Sequence, residues 1–326
     1  MNTAQPLISI VVPAYNEEEV LPEFHETVVK VLSELPVYLE IVYVNDGSTD
    51  GTLEIINGLR ARDARITLID LSRNFGKEIA LSAGLHKAAG DAVVVIDADL
   101  QDPPELIPEL IREWQNGYDV VYAKRTLRGG ESFLKKATAH FFYRIIQRVG
   151  KFNIPEDTGD FRILSRRAVS ALNTFKEQHR FMKGLFAWIG FKQKAVHYQR
   201  DARRAGESKW NYWHLWNFAL DGITSFTIAP LKISTYIGLI TALSAFSYGI
   251  YMLIDTLLYG NDVAGYPSLI VIVLILGGTQ LMAIGILGEY LGRIFNETKQ
   301  RPLYFINEYL PSELAVEKQL DNSKNQ

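Results

Sequence analysis

Residues Val93-Val94-Val95-Ile96-Asp97-Ala98-Asp99-Leu100-Gln101-Asp102 decide the fold. An unbroken run of β-branched side chains predicts a strand buried on both faces, as in a parallel sheet. The run stops at two aspartates one residue apart. In extended backbone, positions i and i+2 face the same side, so both carboxylates can address one ion or phosphate. Ligands of open α/β sheets bind at the carboxyl ends of the strands, where this pair falls. Magnesium is commonly held by one or two protein carboxylates, with waters and substrate phosphates completing the shell. A metal–diphosphate site is therefore expected at Asp97 and Asp99. The competing reading is a polar loop whose Asp102 caps a helix entering at Pro103-Pro104.

Outward from this strand, short apolar runs alternate with amphipathic stretches. Strands are predicted at Leu7–Pro13, Leu39–Asn45, Ile66–Leu71, Ala92–Ile96 and Asp119–Ala123, with helices at Glu18–Leu35, Thr52–Arg62, Lys77–Ala89 and Pro104–Asn116. This is the pattern of βαβ units around a mostly parallel, Rossmann-like sheet. The chain has 326 residues, a formal net charge of −3 and no cysteine. Disulfides and thiolate metal ligands are excluded, and the charge balance gives no support to a nucleic-acid partner. Met1 to Pro6 lacks the basic and apolar regions of a signal peptide, so a cytoplasmic location is expected for everything before the hydrophobic C-terminal third.

Three loops follow the early strands. In Val12-Pro13-Ala14-Tyr15-Asn16-Glu17 the ring of Tyr15 could stack on a base and Glu17 could accept from a sugar or base; equally, the acids could simply favour a helix N-terminus. In Asn45-Asp46-Gly47-Ser48-Thr49-Asp50-Gly51-Thr52 the glycines permit tight turns, Ser48, Thr49 and Asp50 can cap the next helix, and Asp46 is free to bind a ribose or base N–H. Ser72-Arg73-Asn74-Phe75-Gly76-Lys77 brings two cations to the same rim. Together with the aspartates these loops form a nucleotide-diphosphate crevice. Neither a Gly-rich dinucleotide fingerprint nor a Walker sequence is present.

These motifs resemble the family 2 glycosyltransferases with the GT-A fold. The Asn74-Phe75-Gly76-Lys77 and Asp97-Ala98-Asp99-Leu100-Gln101-Asp102 segments narrow the resemblance to polyprenyl-phosphate hexosyltransferases. It extends over nearly the whole chain and is greatest to bactoprenol glucosyltransferases of the GtrB type, with dolichyl-phosphate mannose synthases more distant. The pattern departs at Asn45, where many members have a second aspartate. The resemblance implies inverting transfer of a hexose, glucose from UDP-glucose above all, to undecaprenyl or another polyprenyl phosphate. Asp97 and Asp99 would hold Mg²⁺ or Mn²⁺; Pro13, Ala14, Tyr15, Glu17, Asp46, Lys77, Asp97 and Ala98 would bind the nucleotide sugar. Arg125 would clamp phosphate. Asp157 matches the acid that the family places beside the acceptor. The motif Arg-x-x-Gly-x-Ser-Lys falls on Arg203, Gly206, Ser208 and Lys209, and these cations would neutralise donor and acceptor phosphates. Asp160, close by, is expected in a structural role, tied to Arg162 or Arg166.

The remaining chain reads as membrane-associated. Lys124 to Lys151 carries eight cations against Glu131, with an apolar side at helical spacing, as in an interfacial helix at about residues 131–150; an ordinary surface helix shares the pattern. Trp210, Tyr212, Trp213 and Trp216 suit a second interfacial segment at 210–229. Ile233–Ile254 and Ser268–Gly288 are each about 20 uncharged residues, enough to span a bilayer. Lys232, Arg293, Lys299 and Arg301 flank them, whereas Asp255 to Pro267 holds no Lys or Arg, which orients both termini to the cytoplasm of a multi-pass inner-membrane protein. The expected organisation is a cytoplasmic domain at 1–209, a two-helix membrane domain at 230–292, and a cytoplasmic segment at 293–326, disordered from Ser312. Small residues at Gly238/Ala242, Ala245/Gly249 and Gly288/Gly292 allow close helix approach, and a homo-oligomer is expected.

Three other readings compete. Transfer of mannose from GDP-mannose, as in the dolichyl-phosphate relatives, is one. A processive polysaccharide synthase would show a Gln-x-x-Arg-Trp motif and more spans. A non-catalytic nucleotide-sugar scaffold, or a flippase component, would not need the Asp97/Asp99 pair.

Overall fold

The computed structural model describes residues 5–126, 158–178, 180–198, 229–259 and 265–324. The chain divides into two units, one formed by Met1–Trp210 with Arg301–Gln326, the other by Asn211–Gln300.

The first unit is built on an eight-stranded mixed sheet of order β7-β5-β6-β4-β1-β2-β3-β8. Its first half follows the alternation of the sequence: β1 (Leu7–Ala14), α1 (Leu21–Leu32), β2 (Tyr38–Asn45), α2 (Thr52–Arg60), β3 (Ile66–Leu71), α3 (Lys77–Lys87) and β4 (Ala92–Val95). The four strands β4-β1-β2-β3 are parallel, with Val11 opposite both Val42 and Val95. All are buried along nearly their whole length, which is why their sequences are apolar on both faces. A 3₁₀ turn (Pro104–Leu106), α4 (Ile107–Gln115) and β5 (Val120–Arg125) follow.

The sheet is less uniformly parallel than the βαβ pattern predicts. Strand β6 (Thr158–Ser165) enters between β4 and β5 and is antiparallel to both. Its insertion carries Gly159, Asp160 and Arg162 to the carboxyl end of β4. Helices α5 (Arg166–Asn173) and α6 (Met182–Trp188) lead to β7 (Gln193–Tyr198), parallel to β5 at the edge.

A carboxylate lies inside this sheet. Glu40 on β2, fully buried, accepts from the hydroxyls of Ser9 and of Thr67 (2.8 Å) and from the Ala89 amide (2.9 Å). A buried carboxylate is tolerated only when its lone pairs are filled in this way.

The C-terminal segment corrects an expectation. Residues after Ser312 are not a disordered tail. Strand β8 (Ile306–Leu310) pairs antiparallel with β3, and α9 (Glu313–Lys324) follows it. Ser312 donates its amide to Thr67 Oγ1 (2.9 Å), its hydroxyl accepts from the Ala315 amide (3.2 Å), and Lys318 pairs with Asp91 (2.6 Å). The polar composition of this segment reflects an edge strand and a surface helix.

In the second unit α7 (Ala229–Tyr259) and α8 (Tyr266–Thr298) pack on one another. Leu231–Tyr259 and Val271–Thr298, with mean hydropathy 1.8 and 2.2, are long and apolar enough to cross a membrane. Phe246 and Leu281 expose 70% and 72% of their surface. Apolar surface on that scale calls for a partner such as lipid.

Candidate active site

The site lies where β1, β2, β3 and β4 end. The first two loops are stitched together through Asn16, which has φ +57°. Its amide donates to Ser48 Oγ (3.0 Å) and its side-chain oxygen accepts from the Thr49 amide (2.9 Å). The Glu17 amide donates to Thr52 Oγ1 (2.9 Å), while Asp50 accepts from the Thr52 amide (3.1 Å) at the start of α2. Tyr15, just after β1, is 45% exposed. Pro13 and Ala14 are the last two residues of that strand, paired with Val44 and Asn45 of β2, and the Ala14 carbonyl accepts from the Asp46 amide (2.9 Å).

Asp46 does not present a free carboxylate to a ribose or base. It is 2% exposed, and its two oxygens accept from the amides of Phe75 (2.7 Å) and Gly76 (2.9 Å). Burial pushes its carboxyl above the usual range, against these amides and Arg73. Its work is to hold the third loop against the second. Gly47, at φ +63°, allows that approach: a Cβ there would lie 2.4 Å from the carbonyl carbon of Arg73.

Asn45 is equally constrained. Its amide nitrogen donates to Asp70 Oδ1 (2.7 Å) and its oxygen accepts from the Ser48 amide (3.3 Å). Asn307 of β8 donates to the other oxygen of Asp70 (2.8 Å). An aspartate at position 45 would set a second carboxylate against Asp70.

At the end of β4, Asp97 and Asp99 occupy the loop that the sequence predicts, with buried Ala98 between them. Asp99 accepts from the Gln101 amide (3.0 Å) across Leu100, which stands at φ +52°. A left-handed leucine costs about 1–3 kcal/mol and is kept where surrounding structure demands it. Asp102 is not a helix cap. It accepts from the Tyr198 hydroxyl and pairs with Arg125 (3.5 Å), whose Nε donates to the same hydroxyl (3.1 Å). Burial and Asp102 push the Tyr198 phenol up to about 12, against Arg125. Arg125 is thereby fixed at the rim beside Gly159, where a Cβ would lie 3.5 Å from its Nη2.

Lys77 also departs from expectation. It lies with the strand-end aspartates and not with the nucleoside loops: its ammonium is 2.6 Å from Asp97 Oδ2 and 2.7 Å from Asp160 Oδ2. Burial alone would lower its pKa, but Asp160 and Asp97 together raise it. For Asp160 burial is opposed by Lys77 and Lys183, which win and hold its carboxyl well below the usual range. Asp97 is raised by burial, with Lys77 pulling the other way. Glu78, next to Lys77, accepts from the Met182 amide (3.2 Å); burial and Asp160 push it up to about 7. Arg162 is not the carboxylate partner of Asp160. It donates to the main-chain oxygens of Gly159 (2.8 Å) and Asp160 (3.2 Å) and stacks on Phe186, while Arg166 donates to main-chain oxygens of Ala88 and Gly90. Asp157, Arg203, Lys209, the basic helix expected at 131–150 and, apart from Ala229, the aromatic segment expected at 210–229 lie outside the described residues.

This sheet, with its acid pair at the end of a central strand and donor loops on the same rim, defines a GT-A nucleotide-sugar transferase. Residues 9–172 match the glycosyl transferase family 2, and 229–294 match the GtrB C-terminal hairpin. The chain belongs to glycosyl transferase family 2 and is a glycosyltransferase. It is 51% identical to the bactoprenol glucosyl transferase of Shigella phage SfV over 92% of this chain and 97% of that one. It is also 51% identical to a prophage bactoprenol glucosyl transferase homolog of Escherichia coli, over 92% of this chain and 98% of that one. Among solved structures, glucosyl-3-phosphoglycerate synthase from Mycobacterium tuberculosis in complex with Mn²⁺, UDP-glucose and phosphoglyceric acid is similar, with 22% identity, a TM-score of 0.45, and coverage of 67% of this chain and 78% of that one.

Proposed function

We propose that the protein transfers glucose from UDP-glucose, with inversion, to a polyprenyl phosphate at the cytoplasmic face of a membrane, giving a β-linked lipid-phosphate sugar. The observation that carries this is the Asp97/Asp99 pair at the end of β4, beneath donor loops held together by Asn16 and Asp46. The names of the half-identical relatives support glucose and bactoprenol as donor sugar and acceptor lipid.

The residues present fit a divalent ion. Asp97 and Asp99 stand in one loop at the end of β4, a carboxylate pair that leaves other positions to diphosphate and water. That arrangement suits Mg²⁺ or Mn²⁺. Beside the pair, Asp160 Oδ1 is buried without a hydrogen-bond partner, an acceptor in want of a cation or donor. When bound at Asp97 and Asp99, the ion supplies charge neutralisation on the departing diphosphate.

The chain's own groups do the rest. Tyr15 stacks on the base from its exposed position. Arg125, held by Asp102 and Tyr198, presents a guanidinium to phosphate at the rim, and Arg203 and Lys209 add further positive charge to the phosphates. A phosphate monoester has its second pKa near 6 and is mostly dianionic at pH 7. The acceptor is thus already nucleophilic, and Asp157 acts by orienting it and not by removing a proton. The apolar hairpin anchors the enzyme where its lipid substrate resides, with both termini cytoplasmic and close helix packing serving a homo-oligomer.

A donor panel with the purified full-length chain, undecaprenyl phosphate and Mn²⁺ tests this reading. Turnover is expected with UDP-glucose and not with GDP-mannose. Exclusive use of GDP-mannose would move the enzyme to the mannose-transferring relatives, and no transfer from any nucleotide sugar would refute the reading.

A further inference from the structure

Lys77 occupies an unfavourable place for a cation. It is the first residue of α3, after Gly76 at φ +95°, and the N-terminal end of a helix carries partial positive charge. Such an end ordinarily receives an anion, phosphate included. Two carboxylates reverse the preference. In the β4–β6 register Val95 faces Arg162, so continuing both chains by two residues sets Asp97 opposite Asp160. Like charges facing across an antiparallel pair repel. The Lys77 ammonium lies between them, bonded to one oxygen of each. Asp160 Oδ1, its other oxygen, is buried and unpartnered.

We propose that Lys77 is a built-in counter-ion that neutralises Asp97 and Asp160 in the free protein and is handed to the donor's phosphates when nucleotide and divalent ion enter together. This rests on the assignment of Asp97 and Asp99 as the ion's ligands. A divalent ion arriving alone must approach Asp97 against a fixed ammonium 2.6 Å away. An ion arriving with a diphosphate brings the anion that the ammonium can follow, at the helix end suited to receive it. Metal binding is therefore made conditional on nucleotide, and the acids do not stand exposed and mutually repelling between turnovers.

The test is Mn²⁺ binding by the full-length protein in detergent, followed by electron paramagnetic resonance with and without UDP. Wild type should bind Mn²⁺ at least roughly tenfold more tightly with UDP, about the weight of one charge-assisted contact. Lys77→Met leaves the two carboxylates uncompensated, and should bind Mn²⁺ alone roughly tenfold more tightly than wild type while losing most of the UDP enhancement. Lys77→Gln, whose amide can still bridge the acids, covers the case in which Lys77→Met fails to fold and should shift the same way. Lys77→Arg retains the charge and should keep weak binding of the ion alone. If neither neutral variant gains affinity for Mn²⁺ alone, the counter-ion role is refuted while the ligand assignment stands. If wild type with UDP binds no Mn²⁺, or Asp99→Asn binds it equally well, the ligand assignment falls and takes this inference with it.

Discussion

Asn45→Asp should destabilise the protein in a strongly pH-dependent way. The side chain is buried, and its amide nitrogen lies 2.7 Å from Asp70 Oδ1. An aspartate of the same size removes the donor and sets two carboxyl groups in contact. At an effective dielectric of about 20, unit charges that close repel by about 6 kcal/mol. Keeping one proton on the pair is the cheaper course. At pH 7.5 that costs about 5 kcal/mol relative to an unfolded aspartate of pKa about 3.9; at pH 5 the same step costs about 1.5 kcal/mol. The folded pair has the raised pKa, so the native state binds more protons and the variant loses stability as pH rises. The penalty shrinks as pH falls towards the unfolded value. The assay is urea unfolding of the full chain in detergent at both pH values, each compared with wild type, with Asn45→Ala as control. The alanine variant loses one hydrogen bond to a charged group, about 1.5–3 kcal/mol, at either pH. If Asn45→Asp matches Asn45→Ala at pH 7.5 and shows no relief at pH 5, the Asn45–Asp70 contact is not what requires the amide.

Asp99→Asn, nearly isosteric, should abolish glucosyl transfer with little change in the unfolding midpoint, because the residue sits in a loop at the open rim; near-normal turnover at saturating Mn²⁺ would remove Asp99 from the metal site. Ending the chain at Arg301 should destabilise the catalytic unit, since it strips β8 from β3 and leaves Thr67 and Asp70 without Ser312 and Asn307. Hydrogen exchange of β3 amides should then accelerate, and unchanged protection would mean that β8 contributes nothing to the sheet. Arg203→Lys should lower kcat roughly ten- to a hundred-fold with weaker effect on UDP affinity, because an ammonium cannot reproduce a bidentate guanidinium contact. Full rescue by a short-chain polyprenyl phosphate would reassign Arg203 to membrane attachment.

The sequence by itself determined the parallel half of the sheet, the apolar hairpin and the strand-end acid pair. Strands β1 to β4 are buried on both faces, and burial forces a continuous apolar run that can be read without knowing any neighbour. The loop motifs are equally local, since turns and strand ends are encoded within a few residues. Only the tertiary structure decided what those residues touch. Asp46 lies at a strand end in a motif that suggests a ligand, yet the backbone of a loop some thirty residues later claims both its oxygens. Lys77 meets Asp160 because β6 runs antiparallel between β4 and β5, a placement set by sheet topology and not by any spacing in the chain. Strand β8 is five residues long, with Asn307 and Glu308 side by side at its centre, so no apolar run or strict alternation announces it. Its pairing with β3 spans more than two hundred residues and is selected by an open sheet edge, Asp70 and Thr67, none of which is adjacent to it in sequence. Hydrophobic periodicity records how much of a segment is buried; which charged group faces which is fixed only when distant strands are laid side by side.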